Sequence, residues 1–163
     1  MDQLPSFEDE LVTLLPRLRR FAHALSRSPA DADDLTQAAV ERAIRSRDQW
    51  TPGTRLDSWM YRIMRNLWID TARSRARKEK FEAPPDEANS VGTDGAVHAS
   101  TELGQVMAAM QRLPEEQREV ISLILIEGFG YREAAELLDL PIGTISSRLV
   151  RGRTALLGLV SER

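Results

Sequence analysis

Apolar residues recur at helical spacing along most of the chain, and no stretch shows the alternation typical of a β-strand. The spacing predicts a first helix over residues 7–26, in which Pro16 marks either a kink or the start of a new helix. A second helix is predicted from Ser28 and Pro29 to about Arg47, because proline and acidic residues favour a first helical turn. Its inward positions are predicted to be Leu35, Ala39, Ala43 and Ile44.

A longer helix is predicted over residues 56–80, after a loop whose Pro-Gly pair breaks regular structure. Further helices are predicted over residues 103–113 and 114–127. Between them and the long helix, prolines, glycines and acidic residues leave no apolar face that would pack. We therefore predict an all-α fold of two small helical modules, residues 1–80 and 102–163, joined by a flexible acidic linker over residues 81–101.

Residues 131–153, YREAAELLDLPIGTISSRLVRGR, predict a helix-turn-helix. Ala134 and Ala135 are small enough for a second helix to cross nearby, and the segment from Asp139 to Pro141 ends the first helix. In the second helix, residues that return to one side at about 100° per residue predict a buried stripe. That stripe consists of Ile145, Leu149, Gly152 and Leu156.

The opposite face of this second helix carries small, polar and arginine side chains that suit base edges in a DNA major groove. Its candidate DNA-binding residues are Gly143, Thr144, Ser147, Val150, Arg151 and Thr154, flanked by Arg148 and Arg153 as candidate phosphate ligands. The alternative is an ordinary helical hairpin with a solvated basic face. The turn, the small residues and the apolar stripe together favour DNA recognition.

Charge changes this picture because it is unevenly distributed. The 163 residues carry a formal net charge of −3, so the chain as a whole is not a basic nucleic-acid coat. Residues 62–80 are strongly basic, whereas residues 82–102 contain acids and neither lysine nor arginine. A local basic stripe on an acidic protein predicts DNA binding only with the help of another component.

Several classes of function have no support in the sequence. The absence of cysteine excludes disulfides, thiolate catalysis and cysteine-based zinc sites. We find no phosphate loop, no nucleophile and base pair and no metal-ligand spacing, so we expect neither an enzyme nor a cofactor. No apolar run is long enough to span a bilayer and no signal peptide is evident, which predicts a soluble, cytoplasmic protein without membrane insertion.

Three motifs together resemble the bacterial extracytoplasmic-function (ECF) sigma factors, the smallest class of the sigma-70 family. They are DADDLTQAAVERAIR (residues 31–45), LDSWMYRIMRNLWIDTARSRARK (residues 56–78) and the segment of residues 113–153 that contains the helix-turn-helix. Their order and spacing match the family. Two departures are Asp139, where members often have glycine, and Ser146, where many carry a basic residue.

The resemblance implies partners and site residues. Core RNA polymerase, through its β′ and β subunits, would be bound with the help of Asp33, Asp34, Gln37, Glu41 and Arg45. The promoter −10 element would be bound by Trp50, Arg62, Asn66, Asp70, Arg73 and Arg77, and the −35 element by the helix-turn-helix residues named above. Trp50 would receive an unstacked base, or would instead fill the module's core.

The resemblance also implies an anti-sigma factor that wedges between the two modules, and a role in a stress or environmental response. Two alternatives remain open. A sigma mimic would sequester an anti-sigma factor without binding DNA, and a helix-turn-helix repressor or activator would bind an operator without polymerase.

Overall fold

Every regular element of the described residues is a helix. A computed structural model describes residues 3–26, 28–81 and 101–162, so most of the predicted linker lies outside the described residues. The all-α prediction is confirmed, and helices fall into two modules. They are α1 (Phe7–Leu25), α2 (Pro29–Arg45), a 3₁₀ turn (Arg47–Gln49), α3 (Leu56–Phe81), α4 (Glu102–Gln111), α5 (Glu115–Ile121), a π turn (Ser122–Ile126), α6 (Tyr131–Leu138) and α7 (Ile142–Ser161).

The first module consists of α1, α2 and α3, packed on one another. The Ser28 side chain caps α2 by accepting a hydrogen bond from the Asp31 N–H at 3.1 Å, which fixes the predicted restart of the chain. Pro16 lies inside a continuous α1 and not at the start of a new helix. Its side chain is exposed.

One inward position of α2 was predicted wrongly. Ala39 and Ala43 are fully buried, but Ile44 is 47% exposed. It follows Ala43 by about 100° around the helix, and this step takes it out of the core.

The second module consists of α4 to α7, with α7 packed on α4, α5 and α6. The helix predicted over residues 114–127 is not uniform: α5 ends at Ile121 and a π turn completes the segment. A π turn inserts an extra residue per turn and changes the direction of the side chains that follow. The residue that follows here is Glu127.

The two modules are in direct contact. Helix α1 packs against α5 and the π turn, and α3 packs against α6. Among the described helices, none combines the length and the apolar composition needed to cross a bilayer.

Candidate nucleic-acid interface

The turn of the predicted helix-turn-helix joins α6 to α7. Asp139 adopts the left-handed conformation, with φ 55° and ψ 51°, which aspartate tolerates better than most residues. The Leu140 N–H donates a hydrogen bond to the Ala135 carbonyl at 3.0 Å, and Pro141 immediately precedes α7. The prediction that the segment from Asp139 to Pro141 ends the first helix is confirmed.

The inner face of α7 is the predicted apolar stripe. Ile145 and Leu149 are buried, Gly152 is buried as well, and Leu156 is half-buried. Gly152 faces Ile121 of α5, where a larger residue would collide. The close approach of α7 to α5 therefore requires a glycine at this position.

The outer face of α7 is accessible over most of its length. Arg148 differs from its neighbours because its guanidinium lies 3.2 Å from the Glu116 carboxylate of α5. Phosphate binding by Arg148 would have to compete with this ion pair. Of the predicted −35 residues, Gly143, Val150, Arg151 and Arg153 are exposed, and Thr144, Ser147 and Arg148 are half-buried.

The predicted −10 residues of α3 lie on one exposed face. At about 100° per residue, Asn66, Asp70, Arg73 and Arg77 fall within an arc of about 60°, and all four are exposed. Arg62, at the edge of this face, is also exposed and lies 3.5 Å from the backbone carbonyl of Glu136 in α6. One edge of the −10 face therefore touches the second module.

Trp50 is separate from this exposed face. It is 8% exposed, and its ring lies 5.6 Å from the ring of Phe7, which also contacts Trp59 edge-on. Among the described residues, its indole nitrogen has no hydrogen-bond partner. In this structure Trp50 fills the module's core, so stacking on an unpaired base would require the indole to leave Phe7.

The predicted polymerase-binding residues share one exposed face of α2. Asp33, Asp34, Gln37, Glu41 and Arg45 are all exposed. Sequence reasoning missed Ile44, which lies among them as an exposed apolar side chain. Protein interfaces typically have an apolar centre and a polar rim, so Ile44 is a further candidate contact on this face.

Between the modules lies a buried carboxylate that the sequence did not single out. The Glu127 side chain is 0% exposed. It accepts hydrogen bonds from Arg17 at 3.1 Å, from Arg20 at 2.8 and 3.0 Å, and from the Tyr61 hydroxyl at 2.8 Å. We call these four residues the Glu127 cluster. The acceptor belongs to the second module and all three donors belong to the first.

The environment of Glu127 favours its charged form. Burial raises the pKa of the carboxyl, but hydrogen bonds from Arg20, Tyr61 and Arg17 outweigh this effect, so the pKa lies below its ordinary value of 4.5. Burial also raises the pKa of the Tyr61 phenol, and its hydrogen bond to Glu127 adds to the rise. Tyr61 therefore remains a neutral donor beside a negative carboxylate.

Further polar contacts extend this interface along α3. Arg65 lies 2.6 Å from Glu119, and the Trp68 indole N–H donates a hydrogen bond to Glu115. Burial raises the pKa of the Glu119 carboxyl, and the attraction of Arg65 offsets only part of that rise. The pKa of Glu119 is therefore raised and that of Glu127 lowered, although both carboxyls are buried.

Aromatic packing and one buried arginine complete the interface. The Tyr61 ring lies 4.7 Å from Phe21 and 5.4 Å from Phe129, edge-on in both cases. Arg118 is 6% exposed and donates a hydrogen bond to the Leu25 carbonyl at 3.3 Å. This bond satisfies an acceptor at the C-terminal end of α1, where carbonyls lack partners within the helix.

The two modules match two known sequence families. The Sigma-70 region 2 family matches residues 11–78, and the Sigma-70 region 4 family matches residues 103–156. The first match spans most of α1 to α3, and the second spans most of α4 to α7.

Relatives of known class match nearly the whole chain. The chain is 36% identical over 155 residues to the ECF RNA polymerase sigma factor EcfG of Rhodopseudomonas palustris, covering 95% of this chain and 85% of the relative. It is 30% identical over 174 residues to SigW of Bacillus subtilis, with the same coverages. The solved structure of the sigma factor RpoE in complex with the anti-sigma factor NepR from Bartonella quintana is 32% identical, with a TM-score of 0.79 over 96% of this chain and 98% of that one. The chain therefore belongs to the ECF class of the sigma-70 family, and it is an RNA polymerase sigma factor and not an enzyme.

Proposed function

We propose that this sigma factor directs core RNA polymerase to promoters that combine a −35 and a −10 element, and that it helps to open the −10 region. One observation carries the proposal: faces of α2, α3 and α7 are exposed at the same time, each with the residue types that its partner requires. We assign α2 to polymerase, the outer face of α3 to the −10 element and the outer face of α7 to the −35 element.

On α7, Arg151 is the leading candidate for reading a base. It is exposed on the outer face, and a guanidinium pairs with two acceptors of guanine in the major groove. Val150 beside it is 61% exposed, and an apolar side chain suits the methyl group of thymine. Arg148 and Arg153 would bind phosphates and position the helix.

On α3, Asn66 is the leading candidate for base contact, since asparagine pairs with adenine through two hydrogen bonds. Arg73 and Arg77 follow it on the same exposed face and would hold the backbone of the opened strand. We retain Trp50 as a candidate for stacking on an unpaired base, which contributes about 1–3 kcal/mol. That step would move the indole out of its contact with Phe7.

Polymerase supplies the affinity that the chain lacks alone. A formal net charge of −3 opposes long-range attraction to DNA, and each module offers few phosphate contacts. We propose that the exposed face of α2 binds the β′ subunit, with Ile44 in its apolar centre, and that the chain also contacts the β subunit. Its site of action would be the cytoplasm, where polymerase and chromosome lie.

We further propose that an anti-sigma factor controls this protein in a stress or environmental response. The relative from Bartonella quintana was solved with such a factor. Because the two modules contact each other here, a factor that wedges between them would have to displace the Glu127 cluster. Contacts on the outer surface of the closed pair would leave the cluster intact.

Run-off transcription with core polymerase on a genomic fragment library tests the proposal. We expect defined transcripts that require this protein and that diminish with Arg151→Ala or Asn66→Ala. Binding to an anti-sigma factor without any transcript would identify a sigma mimic. A nanomolar complex of the free protein with duplex DNA at physiological salt would instead identify an operator-binding regulator.

A further inference from the structure

The last turns of helix α3 lie outside the core of the first module. Residues 73–80 are all exposed, so apolar packing does not hold these turns in place. Arg73 and Arg77 are one helical turn apart, and like charges at this spacing destabilise a helix. Turns near the end of a helix are also the ones that open most readily. The two arginines assigned to the opened −10 strand therefore need support from another part of the molecule.

Arg75 connects these turns to α2. Its two terminal nitrogens donate hydrogen bonds to the two carboxylate oxygens of Asp31, at 2.9 and 2.6 Å. A guanidinium that pairs with a carboxylate through two bonds makes one of the stronger and more directional polar contacts in proteins. The guanidinium also lies 5.9 Å from the centre of the ring of Trp68, which is buried. Arg75 is thus held between α2 and the edge of the core.

Asp31 is itself fixed in position. It lies in the first turn of α2, where Ser28 accepts a hydrogen bond from its N–H at 3.1 Å, and a carboxylate is favoured at this end of a helix dipole. Its side chain is 19% exposed, against 47% for that of Arg75. The hydrogen bond to Asp31 raises the pKa of the Arg75 guanidinium, burial opposes the rise, and the charges of Asp34 and Glu79 add to it. The acidic start of α2 therefore attracts the end of α3.

Arg75 does not share the outer face of α3. Residues two positions apart on a helix are separated by about 200°, so Arg75 lies about 160° around the helix from both Arg73 and Arg77. A DNA strand bound along the outer face would meet those two arginines and not Arg75. Any effect of Arg75 on the promoter must therefore act through the position of the helix.

We propose that Arg75 and Asp31 form a staple that holds the end of α3 against α2, so that Arg73 and Arg77 meet the opened −10 strand from a fixed position. Both members of the staple are positioning residues, because they act on the DNA through the two arginines of the outer face. The inference rests on the proposed function, since it takes the assignment of this face to the −10 element as given. Asp31 belongs to the helix assigned to polymerase, so the staple also fixes the −10 face relative to the docked enzyme.

Promoter opening by variants at both ends of the staple tests the inference. Arg75→Gln should slow open-complex formation, followed by permanganate reactivity of unpaired thymines, by about fivefold, the factor that corresponds to ~1 kcal/mol. Asp31→Asn changes the other partner, retains its size and should give the same loss. Lys78→Gln removes the same charge from the same segment; it is the matched control and should retain most of the opening rate.

Exchange of the two charges separates positioning from direct contact with DNA. Asp31→Arg combined with Arg75→Asp restores the ion pair with opposite polarity. The double variant should recover most of the opening that is lost with Arg75→Asp alone. An acidic side chain at position 75 would not bind a phosphate, so recovery would mean that this position acts by holding the helix.

The mobility of a spin label near the end of α3 measures the staple in the free, full-length protein. The chain contains no cysteine, so Ala76→Cys, at an exposed position, gives a single label. We expect restricted motion in the parent protein and in the double variant with exchanged charges. Arg75→Gln and Asp31→Asn should each make the label more mobile, while Lys78→Gln should leave its motion unchanged.

Three results would each overturn the staple. They are label motion that neither Arg75→Gln nor Asp31→Asn changes, a loss of opening with Lys78→Gln as large as that with Arg75→Gln, and no recovery in a folded double variant. Absence of promoter-directed transcripts with the parent protein would instead refute the proposed function. The label would still decide in that case whether the staple holds α3.

Discussion

Gly152 of α7 lies so close to Ile121 of α5 that a methyl group at position 152 would come within 2.5 Å of the Ile121 Cδ1 atom. We expect Gly152→Ala to lower the free energy of unfolding by about 1–3 kcal/mol, since overpacking forces neighbouring side chains or backbone to move. Thermal unfolding of the protein measures the change. Gly158→Ala, in the same helix with open space around it, is the matched control and should be neutral or slightly stabilising.

Substitution of Arg151 and of Arg148 should weaken −35 binding in different ways, because only the loss at Arg151 should depend on the DNA sequence. Arg151→Ala should cost about 1–3 kcal/mol of holoenzyme binding on the preferred −35 element and less on others, because a base contact carries sequence information. Arg148→Ala should weaken all −35 sequences about equally. Binding to a panel of −35 variants measures both, and equal profiles for the two substitutions would refute the assignment.

Release of Arg148 from its ion pair with Glu116 should strengthen binding to the −35 element, whereas loss of Arg148 should weaken it. Glu116→Gln removes both the partner of Arg148 and a negative charge near the DNA face. The pair is partly exposed and contributes at most about 1 kcal/mol to stability, so folding should be preserved. We expect tighter binding on every −35 sequence; weaker binding would mean that Glu116 positions Arg148 for DNA.

Asn66→Ala should separate promoter binding from promoter opening. Because Asn66 lies on α3, far along the chain from the helix-turn-helix, engagement of the −35 element should be unchanged. Permanganate reactivity of unpaired thymines should decrease if Asn66 contacts the opened −10 region. Ser74→Ala, at another exposed position of α3, is the control and should open promoters normally.

Ile44→Asp should impair assembly with core polymerase, because it places a charge in the apolar centre of the α2 face. Ile44 is 47% exposed, so the substitution leaves the module's core intact. Val12→Asp changes an exposed apolar side chain of α1 in the same way and should assemble normally. Equal assembly of both variants, measured by analytical gel filtration with core enzyme, would remove Ile44 from the docking face.

Acid titration should reveal the opposite shifts of two interface carboxyls. The lowered pKa of Glu127 stabilises the fold above its ordinary value of 4.5, and this contribution is lost as pH falls through the lowered value. The unfolding temperature difference between parent and Glu127→Gln should therefore shrink in acid. The raised pKa of Glu119 gives stability at low pH that is lost as pH rises through the raised value, so Glu119→Gln should relatively gain stability as pH rises.

The helices and their inner faces were predictable because the physical signals are local. The apolar period identified the stripe of Ile145 and Leu149, and the pair of Ser28 and Pro29 marked the start of α2. The segment from Asp139 to Pro141 was recognised as the end of a helix, because proline cannot continue one. Each of these signals depends on residues within a few positions of each other.

The interface between the modules was not predictable from such signals. The partners Arg20 and Glu127 are separated by 107 positions, and a glutamate at the end of a helix ordinarily faces water. Glu127 directly follows a π turn, and nothing in the apolar period distinguishes a π turn from an α-helical one. The prediction that Ile44 faces the core was wrong for a simpler reason. A step of one residue, about 100° around the helix, decides whether a side chain lies in the core or at the surface.

Side chains on every side of helix α3 are constrained by what they contact. Leu56, Met60 and Met64 are buried. On another side Tyr61, Arg65 and Trp68 contact the second module. The remaining side carries the exposed candidate residues for the −10 element. Each third of the helix circumference therefore has its own chemical requirement. A surface helix usually tolerates substitutions along its solvent-facing side. We expect saturation mutagenesis of α3 to find constrained positions on all sides of the helix instead.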